Sequence, residues 1–426
     1  MALILQIQET ANTTLSTTGR RGWVSSPDTR GTMDIIWPCL TAIALVLWTM
    51  LHLNLPASSD SEKTVALRKL RWLLLGLLAP ELIMMFAFAQ FTSAQQSVED
   101  MKNIDRPHWT LVHGFYADSG GFQLHVPGYK PFPITAKQVA YLTQHGYIDM
   151  PTITKREIND KSKANRETKV LAFIQTGWLV TKLIARAGQG LQITPYELTT
   201  VALLVCSFTT LVLWWNKPLD VRAPTPIYLK EDMKVIIDQA GEEAGEAVEQ
   251  KFTDTPLDFI EGNIYWSRKA YEPLLQFVLK WRFQTFPIDR IPNDRDYHPR
   301  SFKQNLYLVL PVASFGAIHL AGYNLSLPSE AEQLLWRVNS IIMVVVLSVH
   351  CWSELVGFWF TDFKVESLEI WGQYKKRMPT CFIFVGMATV YFISRLILLV
   401  ESVISLRDLP AAAYREVSWT QYLPRL

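Results

Sequence analysis

Charge is scarce in this chain. Of its 426 residues only 19% are Asp, Glu, Lys or Arg, below the roughly 25% of an average soluble domain. The 41 basic and 39 acidic residues leave a net charge of +2, which excludes nucleic-acid binding driven by strong positive charge. Cysteine is scarce as well. Cys39, Cys206, Cys351 and Cys381 show neither metal-ligand nor disulfide-framework spacing and read as small apolar packing residues. Several motifs are missing: DDxxD, NDxxD, a Walker A loop, GxGxxG followed by a carboxylate, HExxH, GxSxG and the paired histidines of bound haem. Asn293-Asp294-Arg295-Asp296 comes closest to a diphosphate-binding metal motif, but the arginine in its middle and its Pro-rich setting weaken that reading. No metal and no cofactor are expected. Any chemistry would rest on acids, bases and the shape of a cavity.

Apolar residues, by contrast, are plentiful at 49%, with 15 Trp, 15 Tyr and 21 Phe. They gather into runs of about 20 residues, the length that crosses a hydrocarbon layer. Long polar stretches between the runs hold the mean hydropathy to +0.10. Seven runs predict seven transmembrane helices, at 34–54, 72–91, 169–187, 196–215, 305–325, 338–360 and 380–404. The expected fold is an all-α polytopic membrane bundle. A polar N-terminal tail, 1–33, precedes it, and two long extramembrane segments, 92–168 and 216–304, interrupt it. The tail lacks the apolar core of a cleavable signal, so the first span serves as the insertion signal.

Between spans, a short helix is expected from Thr135 to His145 and an acidic amphipathic helix over 229–252. Phe286 to Arg300 reads as loop. The basic-rich segments 92–168, 216–304 and 361–379 are expected in the cytoplasm, with the N-terminal tail beside them. Lys63, Arg68, Lys69 and Arg71, after the first span, contradict that orientation. So does the glycosylation sequon at Asn12; a second sequon begins at Asn324.

Ionisable residues at membrane depth are costly and are functional candidates by default. Glu81 follows Pro80 inside the second apolar run, where a carboxyl group is expected to resist ionisation and stay protonated. Glu354 and His350 stand four residues apart on one helical face, placed for proton relay or for a satisfied buried pair. Asp118 and His350 are further acid–base candidates. Asp34 and Glu197 open their helices, where the helix dipole alone explains an acid. Phe86, Trp178, His319, Tyr323 and Trp352 are candidate substrate-binding residues, because aromatic faces stabilise cations. Phe88, Phe315 and Tyr391 are further aromatics of that kind. Trp72, Trp214, Trp215, Trp336 and Trp371 lie at span ends and read as an interfacial belt.

Five stretches carry a resemblance. They are RGTMDIIWPC (30–39), HGFYADSGG (113–121), ARAGQGLQITPYELTT (185–200), WWNKPLDV (214–221) and IHLAGYNLSLPSEAEQLLWR (318–337). Together they resemble a large group of fungal multi-spanning proteins and, within secondary metabolism, the macrophorin-cyclase-like integral-membrane terpene cyclases of meroterpenoid pathways. That resemblance implies closure of a farnesyl-type chain on a prenylated, lipophilic precursor, started by protonation of an olefin or epoxide. It implies multi-pass residence in the endoplasmic reticulum membrane, contact with lipid, and pathway enzymes as neighbours. No residue role is carried over from it; on the reading above, Glu81 or Glu354 would donate the proton. The alternative from another class is a transporter or channel for a small molecule, with Glu81, Lys182, Arg186, His319 and Glu354 along a polar path. A seven-span receptor fits less well with long loops between spans two and three and between four and five.

Overall fold

The computed structural model describes residues 19–26, 30–163, 166–244, 252, 254–261, 287–295, 302–362 and 378–419. Strand β1 (Arg20–Arg21) precedes α1 (Met33–Met50), α2 (Glu62–Leu78) and α3 (Pro80–Asn103). Next come α4 (Leu111–Asp118), β2 (Phe122–His125), β3 (Phe132–Ile134), α5 (Ala136–Gln144) and α6 (Lys155–Lys161). Two long helices follow, α7 (Arg166–Gly188) and α8 (Pro195–Leu213), then β4 (Thr225–Tyr228), α9 (Met233–Ala244) and α10 (Asp258–Glu261). The chain closes with α11 (Phe302–Ala321), α12 (Glu330–Asp362), α13 (Met378–Ile404) and β5 (Leu409–Pro410).

Among the described residues, six helices are long and apolar enough to cross a membrane: α1, α7, α8, α11, α12 and α13. The expected second span, 72–91, is not one helix. Pro80 has no N–H to donate and clashes with the preceding turn, and it forces Ala79 out of helical geometry. Ala79 sits at φ −140° and ψ 69°, so α2 ends and α3 begins with proline in its first turn. The chain turns through 112° there. Only if this bent pair is a single span does the count reach seven.

Local signals start several of the other helices. Thr194 and Glu197 form a capping box at α8: the threonine hydroxyl accepts from the Glu197 amide and the carboxylate accepts from the Thr194 amide, 3.0 Å away. Thr135 and Gln138 do the same for α5, close to the expected bounds. Within the helix expected over 229–252, α9 starts only at Met233 and buries Met233 and Ile236; residues 245–251 lie outside the described residues.

The polar segments do not form separate loops. Strand β2 pairs antiparallel with β3 and parallel with β4, with Phe122 opposite Thr225. This three-stranded sheet joins the chain between α3 and α7 to the chain after α8 in one folded module. Phe122, Leu124, Phe132, Ile134, Leu142 and Ile236 fill its core. A small β component thus joins the all-α bundle. The segment 287–295 has no helix or strand but is buried: Ile288, Ile291, Asn293, Asp294 and Arg295 are each at most 6% exposed.

Contacts distinguish two ends of the bundle. At the module end, Lys69 on α2 stands over the Trp48 ring of α1 at 4.2 Å, Lys169 at the start of α7 lies over Trp215, and Lys217 beyond α8 reaches Asn54 and Gln90. At the opposite end, Arg30 pairs with Glu197, Arg407 pairs with Glu332, and Arg186 donates to the carbonyls of Gln192, Ala413 and Arg415.

Candidate functional site

The break between α2 and α3 brings an acid into the bundle. Glu81, in the first turn of α3, is 4% exposed. Its carboxyl interacts with the Tyr391 hydroxyl and, through space, with the Arg395 guanidinium; both partners lie on α13. Arg395 donates to Nε2 of His319 at 2.7 Å and to the Leu77 carbonyl at 3.5 Å. His319 Nδ1 lies 2.9 Å from the Phe315 carbonyl. A guanidinium only donates, so Nε2 accepts and Nδ1 carries the proton. The imidazole is the neutral Nδ1–H tautomer. Arg395 also lies 5.0 Å above the Phe315 ring, and the His319 ring stacks against Trp336 at 6.4 Å.

The arrangement follows from helix ends. The last carbonyls of α2 carry partial negative charge and the first amides of α3 partial positive charge. Arg395 meets the first and Glu81 the second. Four buried polar atoms in this cluster make no hydrogen bond of ordinary geometry: Glu81 Oε2, Tyr391 OH, Arg395 Nε and Trp336 Nε1. Unsatisfied polar groups in a native core call for an explanation, and an unseen polar guest is one. Aromatic faces from Phe315, Trp336 and Tyr391 border them. Cys206 on α8 is close enough to feel both Glu81 and Arg395. Helices α3, α8, α11, α12 and α13 therefore each contribute to one cluster that holds the acid.

The structure brings together only some of the residues singled out in the sequence. Glu81 and His319 meet through Arg395. Phe86 packs edge-on against Trp72 at 5.9 Å. Trp178, Tyr323 and Trp352 are 59%, 40% and 70% exposed, on outer surfaces of the bundle. Trp178 stacks on Trp419 at 5.3 Å, and Tyr323 lies under Arg337. His350 is half-buried on α12 with a partner of its own, while the Glu354 side chain lies outside the described residues. Trp371 and the Asn12 sequon also fall outside them. The expected belt is corrected in part: Trp72, Trp214 and Trp336 are at most 4% exposed, whereas Trp215 stays 42% exposed. Their rings turn inward because each has a bundle partner: Phe86, His52 and His319 respectively.

Asp118 lies elsewhere, at the base of the module. Its Oδ2 accepts from Ser93 at 2.7 Å and its Oδ1 from the Ala136 amide at 2.9 Å, so it tethers α3 and caps α5. Nearby is a second buried polar knot that sequence reading missed. Lys217 Nζ donates to Asn54 Oδ1 at 2.8 Å and Gln90 Oε1 at 2.7 Å, over the Trp214 ring at 4.6 Å. Gln90 also accepts from Trp214 Nε1 and donates to the Asn293 carbonyl. The Asn293 side chain in turn accepts from the Asn54 amide at 2.5 Å. Burial pushes the Lys217 amine well below its ordinary range, and Asp118 opposes that only in part. Lys217, Asn54, Gln90, Trp214 and Asn293 satisfy one another, which marks a structural lock. The only hint in the sequence was a lysine immediately before the proline that ends the helical stretch, at Pro218.

Among the described residues no group of three or more His, Cys, Asp or Glu is placed to hold a metal ion. No curated protein and no solved structure matches the chain. A family model does, over residues 1–239 and 300–426. Those two blocks hold every residue of the Glu81 cluster and leave out the buried 287–295 segment. The chain belongs to the family of unknown function DUF8562.

Proposed function

We propose that this protein is an integral-membrane terpene cyclase in which Glu81 is the acid. One observation carries the reading: a carboxyl with an unpartnered oxygen, buried where five helices meet, among aromatic rings. Outer faces bearing Ile174, Ile184, Leu310, Trp352 and Ile393, each more than half exposed, suit contact with lipid. They also suit entry of a prenylated substrate from the bilayer of the endoplasmic reticulum. Glu81 would protonate a terminal olefin or epoxide. The cation would close the ring beside Phe315, Trp336 and Tyr391 and return a proton to the carboxylate. The balance closes without a co-reactant. Arg395, held by His319 and Leu77, would position the carboxyl and not itself react.

The test is conversion of a prenylated phenol or its epoxide by microsomes. Glu81→Gln should reduce turnover by about 10²–10⁴-fold, the usual worth of a general acid, while Trp178→Ala and Trp352→Ala change it little. Full activity in Glu81→Gln would end the assignment. The helix break supports a second reading, since transporters build midplane sites from interrupted helices with facing ends. Flux of a small molecule into reconstituted vesicles, without chemical conversion, would favour that reading.

A further inference from the structure

We infer that α2 and α3 form a re-entrant hairpin, which enters the bilayer from the module's side, turns at Ala79 near the midplane and returns to the same side. The inference rests on the membrane reading but not on the cyclase chemistry.

Both arms are anchored at the module end. On α2, Glu62 meets Arg222, and Lys69 meets Asp220 at 3.2 Å as well as Trp48. On α3, Gln90 binds Lys217, Ser93 donates to Asp118, and Ser97 accepts from Trp109 Nε1 at 3.1 Å. Asn54 and Ser59, before α2, reach Pro292 and Asp289. The same segment, 287–295, also receives Gln90 of α3. A continuous span would hold its two ends on opposite sides of the membrane; here both ends bind one folded module.

The depth agrees. From Lys69 to Leu78 is about 14 Å of helix and from Pro80 to Gln90 about 15 Å, at 1.5 Å per residue. Each arm reaches roughly half of a 30 Å hydrocarbon layer. A turn of 112°, beyond a right angle, sends α3 back the way α2 came. The exposed helix ends at such a tip cannot face lipid. Arg395, His319 and Glu81 meet them inside the bundle instead.

Parity then orders the chain. With six crossings, residues 19–26, 30–32, 189–194, 325–329 and 405–419 share one side, and the module and residues 51–61 share the other. The module side carries Lys63, Arg68, Lys155 and Arg156, while 189–194 and 325–329 contain no Lys or Arg. By the positive-inside bias, the module is cytosolic. The basic cluster after α1 now shares a side with the basic residues of the module, and residues 19–26 and 30–32 move to the non-cytosolic side, opposite to the expectation from seven spans.

The experiment is labelling of single exposed positions by a membrane-impermeant maleimide in sealed and then permeabilised microsomes. Ser58→Cys, Lys130→Cys, Ser326→Cys and Glu416→Cys would each be read against the full unsubstituted chain. Ser58→Cys and Lys130→Cys should label in intact cytosol-out vesicles, and Ser326→Cys and Glu416→Cys only after permeabilisation. Opposite sides for Ser58→Cys and Lys130→Cys would establish a continuous span and overturn the hairpin. Release of the unlabelled chain by alkaline carbonate would overturn membrane integration itself and the hairpin with it. The cyclase reading is judged separately, by the Glu81→Gln turnover.

Discussion

Arg395 and His319 form a directional pair in which the guanidinium donates to Nε2 at 2.7 Å and the imidazole Nδ1–H donates to the Phe315 carbonyl at 2.9 Å. The ring spends both nitrogens on fixing one cation. His319→Phe should therefore strand a buried donor at a cost of about 1–3 kcal/mol, read as a lower Tm in detergent. Arg395→Met with His319→Phe should recover part of that loss, because an apolar replacement leaves no orphan. A coupling energy within about 0.5 kcal/mol of zero in the double-mutant cycle would show that the two act independently.

Lys217 lends itself to a pH test. Its folded-state pKa lies well below 10.5, so between that value and 10.5 the unfolded chain binds more protons than the folded one. Stability should rise with pH through that window and fall on acidification within it. Lys217→Met should remove the slope. It should also lower stability by about 1–3 kcal/mol, since Asn54 and Gln90 lose their donor. Thermal melts of both proteins across alkaline pH provide the check; an unchanged slope in the variant would assign it to another group.

His52 predicts an effect on the acid side. Its Nδ1 bonds the Met50 carbonyl, its Nε2 is buried without a partner, and burial together with Lys169, Lys217 and Lys69 holds its pKa well below 6.5. Burial lowers His113 as well. Below 6.5 the unfolded chain takes up protons that the folded chain refuses. Stability should therefore fall by up to about 1.4 kcal/mol per pH unit for each histidine, until its folded pKa is reached. His52→Gln should flatten the acid limb of the Tm profile. A wild-type Tm that stays constant below pH 6.5 would refute this.

Gly114 sits where α4 crosses α3. A Cβ there would lie 2.5 Å from Ser97 Oγ and 3.0 Å from the backbone Cα and oxygen of Ala94. The hydroxyl can rotate away, but the backbone cannot. Gly114→Ala should cost about 1–3 kcal/mol. Gly177, inside α7 with nothing within 4 Å of its would-be Cβ, is the control, and its alanine variant should gain up to about 1 kcal/mol. Equal effects at the two positions would mean that the crossing is less tight than drawn.

The spans were legible because length and apolarity set them directly. Helices α1, α7, α8, α11, α12 and α13 all appear within several residues of the expected runs. The break at Pro80 was visible as a proline, but hydropathy alone cannot tell a bent span from a hairpin, since both have the same composition. Glu81 stood out as an acid in an apolar run. Its partners did not, because Arg395 and His319 lie on other helices and meet it only through tertiary packing. Trp336 and Trp214 illustrate the same limit: a tryptophan at a span end looks interfacial until a neighbouring helix turns its ring inward. The stretch HGFYADSGG was conspicuous, and the structure gives it local causes. His113 completes a cap with Thr110, Gly114 admits the α3 backbone, Gly120 adopts φ +84°, and Gly121 leaves room for the Tyr116 ring.

Arg395 lies 318 residues downstream of the Leu77 carbonyl that it meets. During synthesis α2 and α3 therefore emerge with their facing ends unmatched, and they stay so until α13 has been made. On a ribosome adding roughly 5–20 residues per second, that is a delay of tens of seconds. The hairpin must wait in a provisional state, held by the module or shielded by a chaperone. Its completion is a late event in the biogenesis of the protein, and a chain truncated before α13 should be recognised as unfinished and degraded.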